Sequence, residues 1–423
     1  MNYYNIFFID QVLEGAAFHS SIGAHTFEIC ITHDLKYFNT IFYNILSYLS
    51  KRRNAKSYRY LYMVYNDCLV KHKQLISLPF VRICHGISVR LYSFINENNH
   101  IVYQTKIIIN PSLFMESFKD NFDPKLYDYT RIIPRDDNFW NEFSPKLSEF
   151  LKKWDIVNDS KVFSVTISRV DLCADISVPD DFPISAYIGY IHRVIKRYKY
   201  DDESFTSDQY AHQSTTFNKS QAFTLYEKMY EQKAHHHNYY DDGSHLLRLE
   251  YKLYPRKIYE ILSKISNDTM MEIDRTVTSK KSLENVLTTV HNMVVLSPII
   301  LLYGIKLVFP RGSFLTKRDA RKLMRNYIKN KDTRYNLYEM LRELSSHKDY
   351  IDVVEASNRM KESFTPSRYY NLMSKIQSLG IAPLYLDDED SQFGPLPCVY
   401  DLYVSAIMQS EEEYNYIQNF ISE

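Results

Sequence analysis

Three short segments carry polar side chains at every second residue, the spacing that places them on one face of a β-strand. The polar sets are Arg169, Asp171 and Asp175 in residues 166–176, Thr224, Tyr226 and Lys228 in residues 223–228, and Arg248, Glu250 and Lys252 in residues 246–253. If the three strands pair in one sheet, carboxylates, a tyrosine and several cations converge. Such a set has the chemistry of a metal-assisted phosphotransfer site with a tyrosine nucleophile.

The candidate metal ligands are Asp171, Asp175 and Glu250. Carboxylate oxygens suit Mg²⁺ or Mn²⁺, and such an ion would neutralise the charge that develops on a phosphate. The alternative is a solvated sheet face, on which the same carboxylates form ion pairs with the arginines and the lysine of these strands. The spacing alone leaves both interpretations open.

Tyr226 is the candidate nucleophile. A tyrosine hydroxyl can attack a phosphodiester and hold one DNA end as a phosphotyrosyl ester. Because the pKa of a free tyrosine is about 10, a neighbouring cation must favour the phenolate. Lys228 projects from the same predicted strand face and is placed to do so. Alternatively, Tyr226 is an ordinary surface residue, one of 37 tyrosines in the chain.

A second kind of site is indicated by residues 311–334, which carry nine basic side chains and two acidic ones. Helical spacing aligns four of the cations in one stripe, namely Arg318, Lys322, Arg325 and Lys329. The opposite face of this helix would carry Leu323 and Tyr327. The stripe is a candidate for contacts with duplex DNA phosphates, and a solvated helix face is the alternative.

The bulk composition sets limits on these hypotheses. The 423 residues include 51 basic and 51 acidic side chains, so a DNA-binding surface must arise from local segregation of charge. Five scattered cysteines without metal-type spacing indicate a reducing cytoplasm. The apolar run 293–309 is interrupted by Pro298, Gly304 and Lys306, which predicts a broken, buried helix rather than a membrane span. We expect a soluble cytoplasmic protein.

The pattern along the chain predicts an α+β fold, with an antiparallel sheet flanked by helices and a mostly helical C-terminal part. Before residue 255 the predicted elements are a helix at 35–49, a hairpin formed by strands 88–94 and 100–109, a helix capped by Ser144 that begins at Pro145, a helix at 184–197, a polar stretch at 198–219 and the segments named above. His235 and His237 would share a strand face, but their polar surroundings favour an exposed loop. From residue 255 onward the pattern is almost wholly helical.

In this order, the three segments resemble the rolling-circle replication initiators of small plasmids and filamentous-type phages, the plasmid Rep_trans and phage gene II/X-type replication proteins. In that group a strand of the type Arg-Ile-Asp-Leu-x-x-Asp precedes a Tyr-x-Lys strand and then an Arg-x-Glu strand. The counterparts here are Arg169-Val-Asp-Leu-Cys-Ala-Asp175, Tyr226-Glu-Lys228 and Arg248-Leu-Glu250. Residues 106–113 are similar to the group's short strand that ends in Asn-Pro. The matched part spans residues 85 to 255.

The resemblance implies site-specific, metal-dependent nicking of DNA to start rolling-circle replication. Tyr226 would form a 5′-phosphotyrosyl intermediate, with Lys228 and Arg248 steering the phosphate. Asp171, Asp175 and Glu250 would hold Mg²⁺ or Mn²⁺. The implied partners are origin DNA, as a single strand or extruded hairpin and as duplex, together with a host helicase or polymerase and a second copy of the chain.

The resemblance, together with a shift in composition near residue 255, predicts three parts of the chain. Residues 1–120 would form the strand-rich N-terminal part of the initiator domain, 121–255 the catalytic core, and 256–423 a helical C-terminal domain. Two departures from the group stand out: Thr224 occupies a position that is usually basic or aromatic, and the histidine pair of many other nicking enzymes is not visible on a strand.

Three other functions fit parts of the same pattern. A conjugative relaxase would use the same chemistry in DNA transfer. A non-catalytic DNA-binding protein would use the helical C-terminal half and the cations of residues 311–334. A metal-dependent nuclease would cut DNA without a covalent intermediate.

Overall fold

The protein is described by a computed structural model that covers residues 19–51, 59–63, 75–124, 127, 131–157, 164–195, 212–234, 245–269, 282–346 and 350–408. Its fold is α+β, as the sequence predicts. One eight-stranded antiparallel sheet is flanked by helices, and the part of the chain after the last of these strands is mainly helical.

Eight strands form the main sheet: β1 (His19–His33), β2 (Val81–Cys84), β3 (Ile87–Ile95), β4 (Ile101–Ile109), β5 (Ser164–Val178), β6 (Gln213–Phe217), β7 (Gln221–Glu227) and β8 (His245–Leu253). Their order across the sheet is β2-β3-β4-β1-β5-β8-β7-β6. Strands from residues 1–120 form one half and strands from residues 121–255 form the other. The long strands β1 and β5 pair antiparallel in the middle and join the two halves.

Among the described residues, the helices that are interspersed with these strands or follow them directly include α1 (Leu35–Lys51), α2 (Pro111–Glu116), α3 (Asp137–Lys153), α4 (Ile184–Val194), α5 (Lys228–Ala234) and α6 (Pro255–Thr269). The remaining elements are α7 (Leu283–Val295), α8 (Ser297–Val308), β9 (Ser313–Leu315), α9 (Lys317–Tyr327), α10 (Lys331–Ser345), α11 (Tyr350–Ser363), α12 (Pro366–Ser378), β10 (Ile381–Tyr385), a 3₁₀ turn (Asp390–Phe393) and α13 (Val399–Met408).

One face of the main sheet, the core face, is apolar and covered by helices. Alternate residues of every long strand are buried there, among them Val170, Leu172, Leu249 and Tyr251. Helices α1, α7, α8 and α13 pack against β1 and its neighbours, and α4 packs against β6 and β7. Since alternate side chains of a strand point to opposite sides, this packing directs the ionisable residues of β5, β7 and β8 to the other face.

Helix α3 begins earlier than its sequence predicts. Ser144 was expected to cap it, with Pro145 at the first helical position, but the cap is Asp136, whose side chain accepts a hydrogen bond from the backbone N–H of Asn138. Pro145 lies inside the helix. The reason is packing upstream, because the buried ring of Phe143 meets that of Phe27 on the core face edge to face.

Two strand regions were missed by the sequence pattern. Part of the polar stretch 198–219 forms β6, an edge strand paired with β7, while residues 198–211 lie outside the described part of the chain. The C-terminal half is not wholly helical either, because β9 and β10 pair in parallel. Both β9 and β10 are buried on both faces, so they lack the alternation that marks a half-exposed strand.

The break predicted near Pro298 is present. Helices α7 and α8 meet at Leu296 with a bend of 67°. Within the described part of the chain, no single helix has both the length and the apolar composition of a membrane span. The two helices of this bent pair reach that length and composition only together. Most of α8 is buried, and the helix packs against the sheet and α13.

Candidate functional site

The three polar segments lie side by side in the order β5-β8-β7, and their polar sets share one face, which we call the polar face. The register places its residues in three rows across the strands: Asp175, Arg248 and Tyr226; then Cys173, Glu250 and Thr224; then Asp171, Lys252 and Ala222. Tyr226, Asp171, Asp175 and Glu250 therefore lie on one surface of one sheet.

Arg248 and Asp175 form a buried ion pair in the first row. The guanidinium donates from Nε to Oδ1 and from Nη2 to Oδ2, so both carboxylate oxygens are engaged. Arg248 has no exposed surface, and Asp175 is also buried. A bidentate pair of this kind fixes the position of both side chains. Asp175 therefore serves to hold Arg248 next to Tyr226.

Asp171 is held by different partners at the other end of the polar set. The Thr26 hydroxyl donates to its Oδ2 at 2.5 Å, and Arg169 Nε lies 2.8 Å from its Oδ1. Burial raises the pKa of Asp171 to about 6, with Arg169 opposing that shift and Glu250 adding to it. This carboxyl group therefore keeps its proton to a higher pH than an ordinary aspartate does.

The three candidate metal ligands do not converge on a single point. Asp171 and Asp175 are four residues apart on one strand, which corresponds to about 13 Å between their Cα atoms. Glu250 lies diagonally opposite each of them, at about 7–8 Å between Cα atoms. Within the described residues no group of three histidine, cysteine or acidic side chains is arranged to hold a metal ion. These three carboxylates thus do not fit one coordination shell, although Glu250 is near to both aspartates.

Tyr226 lies at the end of β7, directly across from Arg248 and diagonally opposite Glu250. It is 8% exposed. Burial raises the pKa of its hydroxyl well above 10, and Glu250 raises it further, while Arg248 opposes the shift. The hydroxyl therefore carries its proton in this state, and attack on a phosphate would require a proton acceptor.

Lys228 is close to Tyr226, but it is not on the strand, as the sequence pattern had suggested. Strand β7 ends at Glu227 and Lys228 is the first residue of helix α5. Its ammonium lies 5.6 Å from the centroid of the Tyr226 ring and 2.7 Å from Glu231 Oε2. The strand ends here because a salt bridge three residues apart supports a helical turn. Burial, with a contribution from Arg248, lowers the pKa of Lys228.

His25 is a polar-face residue that the sequence pattern missed. It lies at a bulge of β1, between Ala24 and Thr26, where the register with β5 shifts by one residue. Burial lowers its pKa well below 6.5, and the next largest cause is Arg248. The imidazole is therefore neutral among cations. The sequence does carry a sign of this bulge in the positions of the buried apolar residues of β1. They have even numbers before the bulge (Ile22 and Ala24) and odd numbers after it (Phe27, Ile29 and Ile31).

Helix α9 carries the predicted basic stripe only in part. Arg318, Lys322 and Arg325 lie on the helix, but it ends at Tyr327, and Lys329 follows in the turn before α10. The helix ends there because Ile328 takes an extended backbone, and its carbonyl accepts a hydrogen bond from Arg334 at 2.6 Å.

The inward face of α9 also differs from the prediction. Ala320 and Met324 are its buried residues, Leu323 is half-buried, and Tyr327 is 48% exposed. The helix is rotated to bury its smallest and most flexible apolar side chains. The predicted stripe has four cations, Arg318, Lys322, Arg325 and Lys329, and all of them are exposed. Among the described residues, none of the four makes an ion pair.

Comparison with known proteins does not name a family for this chain. No protein-family model matches the sequence, and no curated protein matches it significantly. His235 and His237, for which the sequence favours an exposed loop, lie outside the described residues. What supports a function is therefore the sequence pattern together with the geometry of the polar face and of α9.

Proposed function

We propose that this protein nicks DNA at a specific site through Tyr226 and so initiates rolling-circle replication of a plasmid or phage. The observation that carries the proposal is the cross-strand row in which Tyr226 lies beside Arg248, with Lys228 against its ring. A tyrosine flanked by two cations has the groups that a phosphodiester requires: a nucleophile and positive charge for the non-bridging oxygens.

In the proposed step, the Tyr226 oxygen forms a bond to phosphorus and the bond from phosphorus to the 3′ oxygen breaks. The 5′ end of the cut strand remains on the tyrosine. Glu250, diagonally opposite, takes the phenolic proton, and the departing 3′ oxygen is protonated from solvent. Lys228 and, at longer range from its buried position, Arg248 offset the charge on the phosphate. The freed 3′-OH then primes DNA synthesis.

Dependence on Mg²⁺ or Mn²⁺ is part of the proposal and rests on the resemblance to rolling-circle initiators. Because Asp171, Asp175 and Glu250 do not fit one coordination shell, no step is assigned to the ion. Chelation with EDTA, followed by titration with each ion, tests the dependence. The proposed setting is the cytoplasm, with origin DNA, a host helicase or polymerase, and a second copy of the chain as partners.

The experiment that tests the proposal is covalent trapping. The protein is incubated with supercoiled DNA and with single-stranded oligonucleotides in the presence of Mn²⁺, and any DNA-linked peptide is identified by mass spectrometry. We expect the adduct on Tyr226 and its loss in Tyr226→Phe. Tyr230→Phe is the matched control, because it removes the hydroxyl of an exposed tyrosine four residues away. An adduct retained by Tyr226→Phe would overturn the assignment.

A conjugative relaxase shares this chemistry and would give the same adduct. A protein that binds DNA without cutting it is the second candidate, and a specific observation favours it. Tyr226 is almost fully buried, whereas the α9 cations are exposed and unpaired among the described residues. In that case Tyr226→Phe would leave activity in cells intact. A metal nuclease that forms no covalent intermediate would cut DNA without any trapped adduct.

A further inference from the structure

The half of the polar face farthest from Tyr226 has a composition of its own. Strands β2, β3 and β4 contain three cations and no acidic residue, in a chain whose net charge is zero. We define the aromatic patch as the side chains of Phe80, Tyr92, Phe94, Arg82, Arg90 and Lys106. Cations mixed with aromatic rings on a sheet are the features with which proteins bind single-stranded nucleic acid.

The strand register puts these side chains on one surface. Arg90 pairs with Lys106, and Arg82 pairs with Ser88, which is two residues from Arg90. The intervening residues Val89 and Leu91 are buried on the core face. Phe80 belongs to the same surface, because the Arg90 guanidinium lies 5.8 Å from the centroid of its ring.

The aromatic rings are accessible. Phe80 and Phe94 are 39% and 38% exposed, and Tyr92 is partly exposed. The rings of Tyr92 and Phe94 are 6.1 Å apart with 22° between their planes, so they face the same way. Neighbouring rings that remain exposed keep apolar surface in contact with water. A ligand that stacks on the rings buries this surface, which favours binding.

A chain of ion pairs links the aromatic patch to the residues near Tyr226. Lys106 Nζ lies 2.7 Å from Glu28 Oε1, and Arg169 Nη1 lies 3.9 Å from Glu28 Oε2. Arg169 in turn contacts Asp171, on the strand next to the one that carries Arg248. The sheet order places β3 five strands from β7, which is about 24 Å. The aromatic patch and Tyr226 therefore lie on the same face of the sheet.

We infer that the aromatic patch binds single-stranded DNA, with bases stacked on Phe80, Tyr92 and Phe94 and phosphates on Arg82, Arg90 and Lys106. The choice of DNA rests on the proposed nicking function, since a nicked or extruded origin presents a single strand to the polar face. Exposed Arg82 makes no ion pair among the described residues and is available to a phosphate.

The test is fluorescence anisotropy with labelled single-stranded DNA of about 30 nucleotides, in the Tyr226→Phe background so that no covalent step contributes. We expect Phe94→Ala to weaken binding about 10-fold or more and Phe94→Trp to retain it. Arg82→Gln should reduce the slope of log affinity against log salt by about 0.7. Phe393→Ala and Lys375→Gln, exposed residues of the same kinds elsewhere in the chain, are the controls and should leave affinity and slope unchanged.

The outcomes separate this inference from the proposed function. Unchanged affinity in Phe94→Ala overturns the patch even if wild-type protein forms the Tyr226 adduct. Loss of affinity in Phe94→Ala supports the patch even if no adduct forms. Tighter binding of RNA than of DNA of the same sequence overturns the choice of ligand.

Discussion

At the scale of single residues, charge on the polar face is neutralised in pairs whose members depend on each other. Asp175 engages Arg248 with both oxygens, while Asp171 is shared between Arg169 and Thr26. Removing one member of a buried pair strands the other charge away from water, which is more harmful than removing both. The row that holds Tyr226 is therefore sensitive to substitutions that do not touch the tyrosine.

Arg248→Met tests this dependence. We expect it to lower the free energy of unfolding by about 3–5 kcal/mol, because the Asp175 carboxylate stays buried without its partner. Adding Asp175→Asn should recover part of the loss. Lys252→Met, on the same strand and face but with a third of its side chain exposed, should cost no more than about 1 kcal/mol. Urea denaturation gives the free energy of unfolding of the wild type and of these three variants. Equal losses in Arg248→Met and Lys252→Met would show that the buried pair has no special weight.

Asp171 predicts a dependence of stability on pH. Its pKa is about 6 in the folded protein and 3.8 ordinarily, so between these values the folded state binds more protons than the unfolded state. Stability from this group is therefore present at low pH and is lost as pH rises from about 4 to about 6. The full loss corresponds to roughly 3 kcal/mol.

The check compares wild-type protein with Asp171→Asn, which cannot titrate. The difference in unfolding free energy, wild type minus variant, should fall by that amount between about pH 4 and pH 7 and stay constant above. A difference that rises over this range would show that Asp171 is stabilised as a carboxylate.

At the scale of elements, helix α8 sets the position of the strands that carry the candidate site. Gly304 lies where α8 crosses β7 and β8, and a Cβ atom there would meet Phe223 Cε2 and Tyr251 Cε1 at 2.6 Å each. Both rings are buried on the core face, behind Tyr226 and Arg248. Helix α8 can therefore approach β7 and β8 this closely only because Gly304 has no side chain.

Gly304→Ala should destabilise the protein by about 1–3 kcal/mol, because two packed rings must move to admit the methyl group. Gly189→Ala in α4 is the matched control. Nothing lies within 4 Å of a Cβ atom at that position, so the substitution should stabilise the helix by about 0.5–1 kcal/mol. Thermal denaturation distinguishes the two, and a stabilising effect at both positions would contradict the packing described.

At the scale of the whole molecule, a chain of zero net charge must separate its charges to bind DNA. The described residues present two cationic surfaces, the aromatic patch on the main sheet and α9 in the C-terminal half. The first mixes cations with rings, and the second has cations alone. That difference suits a single strand at the former and duplex phosphates at the latter.

The double substitution Arg318→Glu and Lys322→Glu tests α9. We expect duplex affinity to fall at least about 10-fold, with the salt slope reduced by about 2, because two phosphate contacts are removed. Lys36→Glu with Lys375→Glu makes the same change of net charge at exposed positions on other helices. Filter binding over a range of salt concentrations gives both quantities, and equal effects of the two double variants would exclude a specific role for α9.

Many elements could be predicted from local pattern, and the misses have physical causes. Helix α1 and strands β3 and β4 follow their periodicity closely, because one face of each is buried and the other is not. Strand β10 was missed because both its faces are buried. Strand β7 ends before Lys228 because of the salt bridge from Lys228 to Glu231. Helix α9 ends before Lys329 because of the hydrogen bond from Arg334 to Ile328. Hydrophobic periodicity reports neither contact.

The sequence alone determined which side chains share a face of each strand, because alternation is a property of the extended backbone. It thereby placed Asp171, Asp175, Tyr226, Arg248 and Glu250 on polar faces. The tertiary structure adds that β8 lies between β5 and β7, that Asp175 binds Arg248 with both oxygens, and that the carboxylates are spread along the sheet rather than gathered at one point. Those facts depend on pairing between distant segments, such as Asp175 and Arg248, which are 73 residues apart, and no local pattern reports such pairing.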